Sequence, residues 1–131
     1  RVRAVRKEQK HYQCDWSLVP EDPARFENLV AFHLLKWVDF QVDGEGRDLE
    51  LRYFRDTDAR EVDFVVVERR QPVLMVEAKW GDQEVDRGLR YLKAKFPSVP
   101  AWQVSAVGRK DYLTPEGIRV SPALALISIL T

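Results

Sequence analysis

Two short apolar runs, 61–67 (Glu-Val-Asp-Phe-Val-Val-Val) and 73–79 (Val-Leu-Met-Val-Glu-Ala-Lys), constrain this chain more than any other feature. Both are rich in strand-forming residues and too short for a helix with a sustained apolar face, so they are expected as buried strands. Glu68 to Pro72 joins them, which predicts a hairpin with a five-residue loop. If that loop is centred on Arg70 and no bulge intervenes, Asp63 faces Glu77 and Glu61 faces Lys79 across antiparallel strands. Directly opposed side chains share a face, so two carboxylates converge, with the Lys79 ammonium at their margin.

Facing carboxylates repel, and burial adds to the cost unless a proton, a partner cation or a metal ion compensates. Oxygen donors of this kind suit Mg²⁺ or Mn²⁺. A hard divalent ion can polarise a phosphate and lower the pKa of a bound water, while a neighbouring lysine orients that water or neutralises developing charge. The plainer alternative is an ion pair of Lys79 with Glu61 or Glu77 at a solvated sheet edge. Against it, the neighbours Val62, Phe64, Val76 and Ala78 are apolar and point to strands deep in a domain.

The flanking sequence reads as helix, three strands, helix, strand: an α/β chain with a mixed central sheet. Asp22 can cap a helix that starts at Pro23 and runs to about Val38. Phe26, Leu29, Val30, His33, Leu34 and Trp37 share its apolar arc, and Glu27 falls about 20° beyond Leu34, at the edge of the buried face. Gly44 and Gly46 predict a turn over 41–47, and Leu49 to Phe54 alternates like a half-buried strand. Residues 83–96 return to helical spacing with Asp82 as cap, and Pro97 stops them. Ala101 to Val107 then reads as a strand parallel to 73–79. A polar loop over 108–117, a short edge strand at Ile118 and Val120, and an apolar terminal helix from Ser121-Pro122 complete the chain.

A length of 131 residues with 45% hydrophobic side chains suits one domain, 1–131, with residues 1–10 expected as an arm. The chain starts at Arg1 and is expected to be part of a longer protein. Twenty-one basic and 21 acidic side chains cancel, yet residues 21–79 hold nine basic against fourteen acidic ones. An acidic centre between more basic ends can hold a cation beside a phosphate backbone; ordinary surface charge is the alternative. Cys14 is the one cysteine, which excludes an internal disulfide and a cysteine-rich zinc site. No apolar stretch approaches the ~20 residues needed to cross a bilayer, and no signal core follows the charged start. The expected compartment is the cytoplasm, without a membrane partner. His11 and His33 lack a paired ligand spacing and read as structural, and Trp16, Trp37, Trp80 and Trp102 as core or core edge. Arg55, Arg109 and Lys110 fall in expected loops, as phosphate contacts or solvated surface, and Gln103 is a polar residue on the last long strand.

Glu27 on a helix, Asp63 on a strand and Glu77-Ala78-Lys79 on the next resembles the PD-(D/E)XK nuclease superfamily, with its restriction-endonuclease-like core. More narrowly, Phe26-Glu27-Asn28-Leu29-Val30, Tyr53-Phe54-Arg55, Glu61-Val62-Asp63-Phe64 and Val76-Glu77-Ala78-Lys79 resemble a domain C-terminal to the ATPase module in a family of prokaryotic AAA+ proteins, over about Tyr12 to Leu130. The resemblance implies a catalytic set of Asp63, Glu77, Lys79 and Glu27, in which Asp63, Glu77 and Glu27 hold Mg²⁺ or Mn²⁺ and Lys79 is the catalytic lysine. DNA and the ATPase module of the parent chain would be the partners. Val62 stands where the superfamily name has proline, and no GxxxxGK[ST] loop occurs, so ATP hydrolysis is not implied for this chain. The expected function is a metal-dependent, nuclease-like domain that hydrolyses DNA phosphodiesters. The alternatives are a catalytically silent DNA- or protein-binding regulatory module, and a structural cap on the ATPase that uses the tail Ala123 to Leu130.

Overall fold

The hairpin forms the middle of a mixed sheet in the computed structural model, which describes residues 2–4 and 22–130. In chain order the elements are β1 (Val2–Ala4), α1 (Pro23–Glu45), β2 (Leu49–Arg55), β3 (Glu61–Glu68), β4 (Gln71–Lys79), α2 (Arg87–Lys95), β5 (Ala101–Ser105), β6 (Tyr112–Leu113), β7 (Ile118–Pro122) and α3 (Ala123–Leu130). Their order across the sheet is β1-β2-β3-β4-β5-β7-β6. β1 to β4 pair antiparallel, β5 joins β4 in parallel, β7 joins β5 in parallel, and β6 closes the edge antiparallel. Val2–Ala4, expected in an arm, pair with β2 instead. Residues 5–10 of that arm, His11, Cys14 and Trp16 lie outside the described residues.

The sheet is covered on both faces. Phe26, Val30, Ala31, Leu34 and Val38 of α1 and Leu126 of α3 pack with Phe64, Val66, Val76 and Val104 on one side. Leu89 and Leu92 of α2 pack with Val62, Val65, Met75 and Ile118 on the other. Burying each such side chain is worth about 1.5–3 kcal/mol, so the strands with apolar residues on both faces, β3 and β4, anchor the domain.

The strand expected to Val107 ends at Ser105, and Ser121-Pro122 close β7 instead of opening the terminal helix; three further differences from expectation have a local reason. α1 does not stop at Val38 but continues through Gly44 to Glu45. A helical glycine costs about 1 kcal/mol, which the packed helix absorbs, and the stop comes at Gly46, left-handed at φ 69° with its N–H on the Gln41 carbonyl. α2 begins at Arg87 under Asp86, not under Asp82, because the Asp82 carboxylate accepts the backbone N–H groups of Arg109 and Lys110 instead. β7 is no edge strand, since β6, formed within the expected polar loop, lies outside it.

The hairpin itself closes more tightly than a five-residue loop. Arg69 and Arg70, at φ 51° and 71°, are the two central residues of the turn. From such a turn the ladder begins Glu68↔Gln71 and Val67↔Pro72, a register that would set Asp63 against Val76. Val73 then enters as a bulge, and the pairs Val66↔Leu74, Val65↔Met75 and Phe64↔Val76 recover the register expected from a loop centred on residue 70. A shorter turn and an extra residue cancel. β3 carries a second irregularity against β2, where Arg52↔Val65 is followed by Phe54↔Val62, and Asp63 sits inside it.

α2 rests directly on the backbone of β3. A Cβ at Gly88 would collide with the carbonyl of Glu61. Gly88→Ala is therefore expected to cost about 1–3 kcal/mol and lower Tm by several degrees in a circular-dichroism melt. A melt identical to wild type would show that this approach is looser than the geometry states.

Candidate functional site

Beyond Phe64↔Val76 the β3–β4 ladder changes character, because side chains take over from backbone carbonyls. Asp63 N donates to Glu77 Oε1 at 2.9 Å, and Ala78 N donates to Asp63 Oδ2 at 2.9 Å. Each carboxylate is thus held by the backbone of the other's strand. Glu77 is only 6% exposed, and Asp63 is half-buried. The sequence expectation that the two converge is met, although through these crossed bonds and two register irregularities rather than through a plain ladder.

Burial pushes the Asp63 carboxyl well above the ordinary carboxylate range, and the charges of Glu77 and Glu27 add to the rise; the Ala78 N–H pulls the other way. Burial likewise raises Glu77, opposed by the Asp63 N–H and by Lys79. The two carboxyls are close enough to titrate together, and a proton or a cation between them would relieve their repulsion. Lys79 Nζ donates to Asp86 Oδ1 at 3.0 Å and lies 3.1 Å from Glu77 Oε2. Burial alone would lower the lysine, but the hydrogen bond to Asp86 and the charge of Glu77 outweigh it and hold the ammonium above its usual value. Glu61, an expected alternative partner of Lys79, stands instead 3.7 Å from Arg55.

Asp86 is the residue that sequence reasoning missed. It caps α2 by accepting from Gly88 N and Leu89 N through Oδ2, while its other oxygen holds Lys79. Gln103, buried at 2% exposure, supports it from β5. Its Oε1 accepts from Asp86 N at 2.8 Å, and its Nε2 donates to the carbonyls of Gln83 and Glu84. These bonds keep 83–84 out of the helix and present Asp86 to Lys79. The available signal was Gly88, two residues after an aspartate, where a helix must approach a strand.

Glu27 is exposed on α1, and it reaches the pair through its charge on Asp63. His33 is half-buried in α1, its pKa lowered by burial and by Lys36. Trp37 lies under Arg47 and Trp102 under Arg119, while Trp80 packs at the edge of the α1-side core. Arg109 and Lys110 are exposed, and their N–H groups serve Asp82.

Among the described residues no group of three or more His, Cys, Asp or Glu side chains is arranged to hold a metal ion. Mg²⁺ does not require one, since it is usually bound by one or two carboxylates with waters and substrate phosphate completing its shell. Asp63 and Glu77 fit that donor chemistry, with Asp63 Oδ2 and Glu77 Oε1 fixed by backbone and Glu77 Oε2 shared with Lys79. No helix among the described residues is long and apolar enough to cross a membrane.

A family model described as a domain of unknown function (DUF4143) matches residues 24–125. No curated protein and no solved structure matches the chain.

The raised carboxyls set a pH dependence. Folded, the pair keeps protons that the unfolded chain has lost above about pH 4, so stability falls as pH rises from there through the neutral range. In EDTA, urea unfolding of the wild type is expected to show lower stability at pH 8 than at pH 5. Asp63→Asn, which still accepts the Ala78 N–H, should flatten that difference; an unchanged slope would remove the pair from the titration.

Proposed function

We propose that this chain, which belongs to the DUF4143 family, is a metal-dependent, nuclease-like domain with a restriction-endonuclease-like core that hydrolyses DNA phosphodiester bonds. The observation that supports it most is the buried Asp63–Glu77 pair with Lys79 Nζ 3.1 Å from Glu77. On this reading Asp63 and Glu77 would hold Mg²⁺ or Mn²⁺, with Glu27 of α1 adding its negative charge from the helix margin, and the ion would supply Lewis-acid activation of phosphate and water. Asp63 and Glu77 present oxygens already fixed by backbone N–H groups, so little ordering is left for binding. Lys79 stays protonated and offers a positive charge where the attacked phosphate gains negative charge. Asp86 and Gln103 hold that ammonium in place. Resemblance to the ATPase-linked domain supports a cytoplasmic setting beside an ATPase module of the parent chain.

One observation favours the second reading, a catalytically silent DNA- or protein-binding module. The ammonium of Lys79 is already engaged by two carboxylates, at 3.0 and 3.1 Å, contacts that a catalyst would have to loosen and a silent module would not.

Titration calorimetry with Mn²⁺ should show one ion bound per chain, more weakly in acid as the ligands take up protons. Asp63→Asn should lose at least about tenfold in affinity, because an amide cannot supply the charge that holds a hard cation. Lys79→Ala should keep most of the metal binding. With plasmid DNA and Mn²⁺, the wild type should nick and both variants should not. Equal nicking by all three would sink the assignment, and metal binding without nicking would favour the silent module.

A further inference from the structure

At the turn end of the hairpin, on the α2 side, lies a cleft of about 460 Å³ that the carboxylate pair does not use. Most of its lining lies toward the turn, and Phe54, opposite Val62 of β3, is the part that comes nearest to Asp63. α2 ends at Lys95, which leaves this end of the face less covered. Phe54, Pro72 and Phe96 supply apolar lining, Arg52, Arg70 and Lys95 supply three cations, and no acidic side chain lines the cleft.

Two observations set these cations apart from ordinary surface charge. Arg52 is half-buried, and both oxygens of Glu50 accept from its Nη2, at 2.8 and 2.9 Å. Its Nε is buried with no hydrogen-bond partner among the described residues. A buried guanidinium N–H left unmet is costly, and an anion drawn to the exposed part of the same guanidinium would stabilise its charge. Arg70 occupies the second central position of a tight hairpin turn, at φ 71°, where glycine is strongly favoured. The backbone strain persists for an arginine that forms no salt bridge with a described carboxylate. Lys95 likewise forms none and lies 5.6 Å from the Tyr91 ring centre.

We propose that this cleft binds the phosphate of a nucleotide, with the phosphate among the Arg52 guanidinium, Arg70 and Lys95 and a base or sugar ring against Phe96, the half-buried aromatic of the lining. The volume falls within the range of small-ligand sites, about 300–1,000 Å³. A guanidinium N–H with further cations recognises phosphate, and the apolar lining gives a ring a surface to stack on. A free nucleotide and one unit of a DNA strand share this chemistry. The site goes beyond the nuclease reading and does not rest on it.

Titrating the chain in EDTA with inorganic phosphate, dAMP and a short single-stranded oligodeoxynucleotide tests the proposal without any metal at Asp63 and Glu77. One dAMP or one oligonucleotide is expected to bind per chain, more tightly than phosphate alone. A tighter oligonucleotide identifies a DNA strand as the source, and a tighter dAMP a free nucleotide. Arg70→Gly should weaken binding at least tenfold while raising Tm by a few degrees, since glycine relieves the left-handed strain. Misfolding cannot produce that opposite pair of changes. Lys95→Ala should weaken binding with little change in Tm. Phosphate binding as tightly as dAMP and the oligonucleotide, Arg70→Gly binding like wild type, or no saturable binding of either nucleotide ligand at millimolar concentration would each overturn the proposal.

Discussion

Two carboxylates stand where a β-ladder would ordinarily place backbone carbonyls, and the rest of the domain is organised around tolerating them. Asp63 and Glu77 are buried close together, so each must be compensated. The crossed bonds, Asp63 N to Glu77 and Ala78 N to Asp63, satisfy one oxygen of each and tie the end of the hairpin together. They do not neutralise the charge. That falls to a proton, to Lys79 or to an added cation, which is why the pair's carboxyls are raised and the lysine's ammonium is stabilised.

Everything that supports the pair reaches it through backbone rather than through side-chain packing alone. Val73 restores the register, the β2–β3 irregularity makes room for Asp63, and Gly88 lets α2 rest on the Glu61 carbonyl. From that seat Asp86 at once caps α2 and holds Lys79, while Gln103 fixes the approach of the preceding loop. Strand, helix and lysine are therefore positioned by one connected set of hydrogen bonds running from β5 to β3.

The strands, the parallel step from β4 to β5 and the meeting of Asp63 with Glu77 were legible from β-branched runs and spacing, because burial on two faces leaves little choice of register. The turn at Arg69 and Arg70 was not, since arginine is a poor residue for two successive left-handed positions and nothing local announces it. Val73 was equally hidden, as a bulge has no compositional mark inside an apolar run. The register came out as expected only because these two departures compensate. Asp82 stands where helical spacing begins and so reads as the cap, but its engagement by the N–H groups of Arg109 and Lys110 and the hold of Gln103 on 83–84 depend on contacts distant in sequence. Glu27 at the helix margin was readable, but its exposure was not.

Because the bonds that seat Asp63 and Glu77 are made to main-chain N–H groups, they ask nothing of the side chains next door. Val62 or Ala78 could be exchanged for other residues that suit the same burial without removing a donor from either carboxylate. A lineage can therefore drift widely around these two positions and still carry the same constellation. Overall resemblance between two such chains would fade much faster than the arrangement of their carboxylates, so kinship in this architecture is better sought in crossed bonds than in aligned letters.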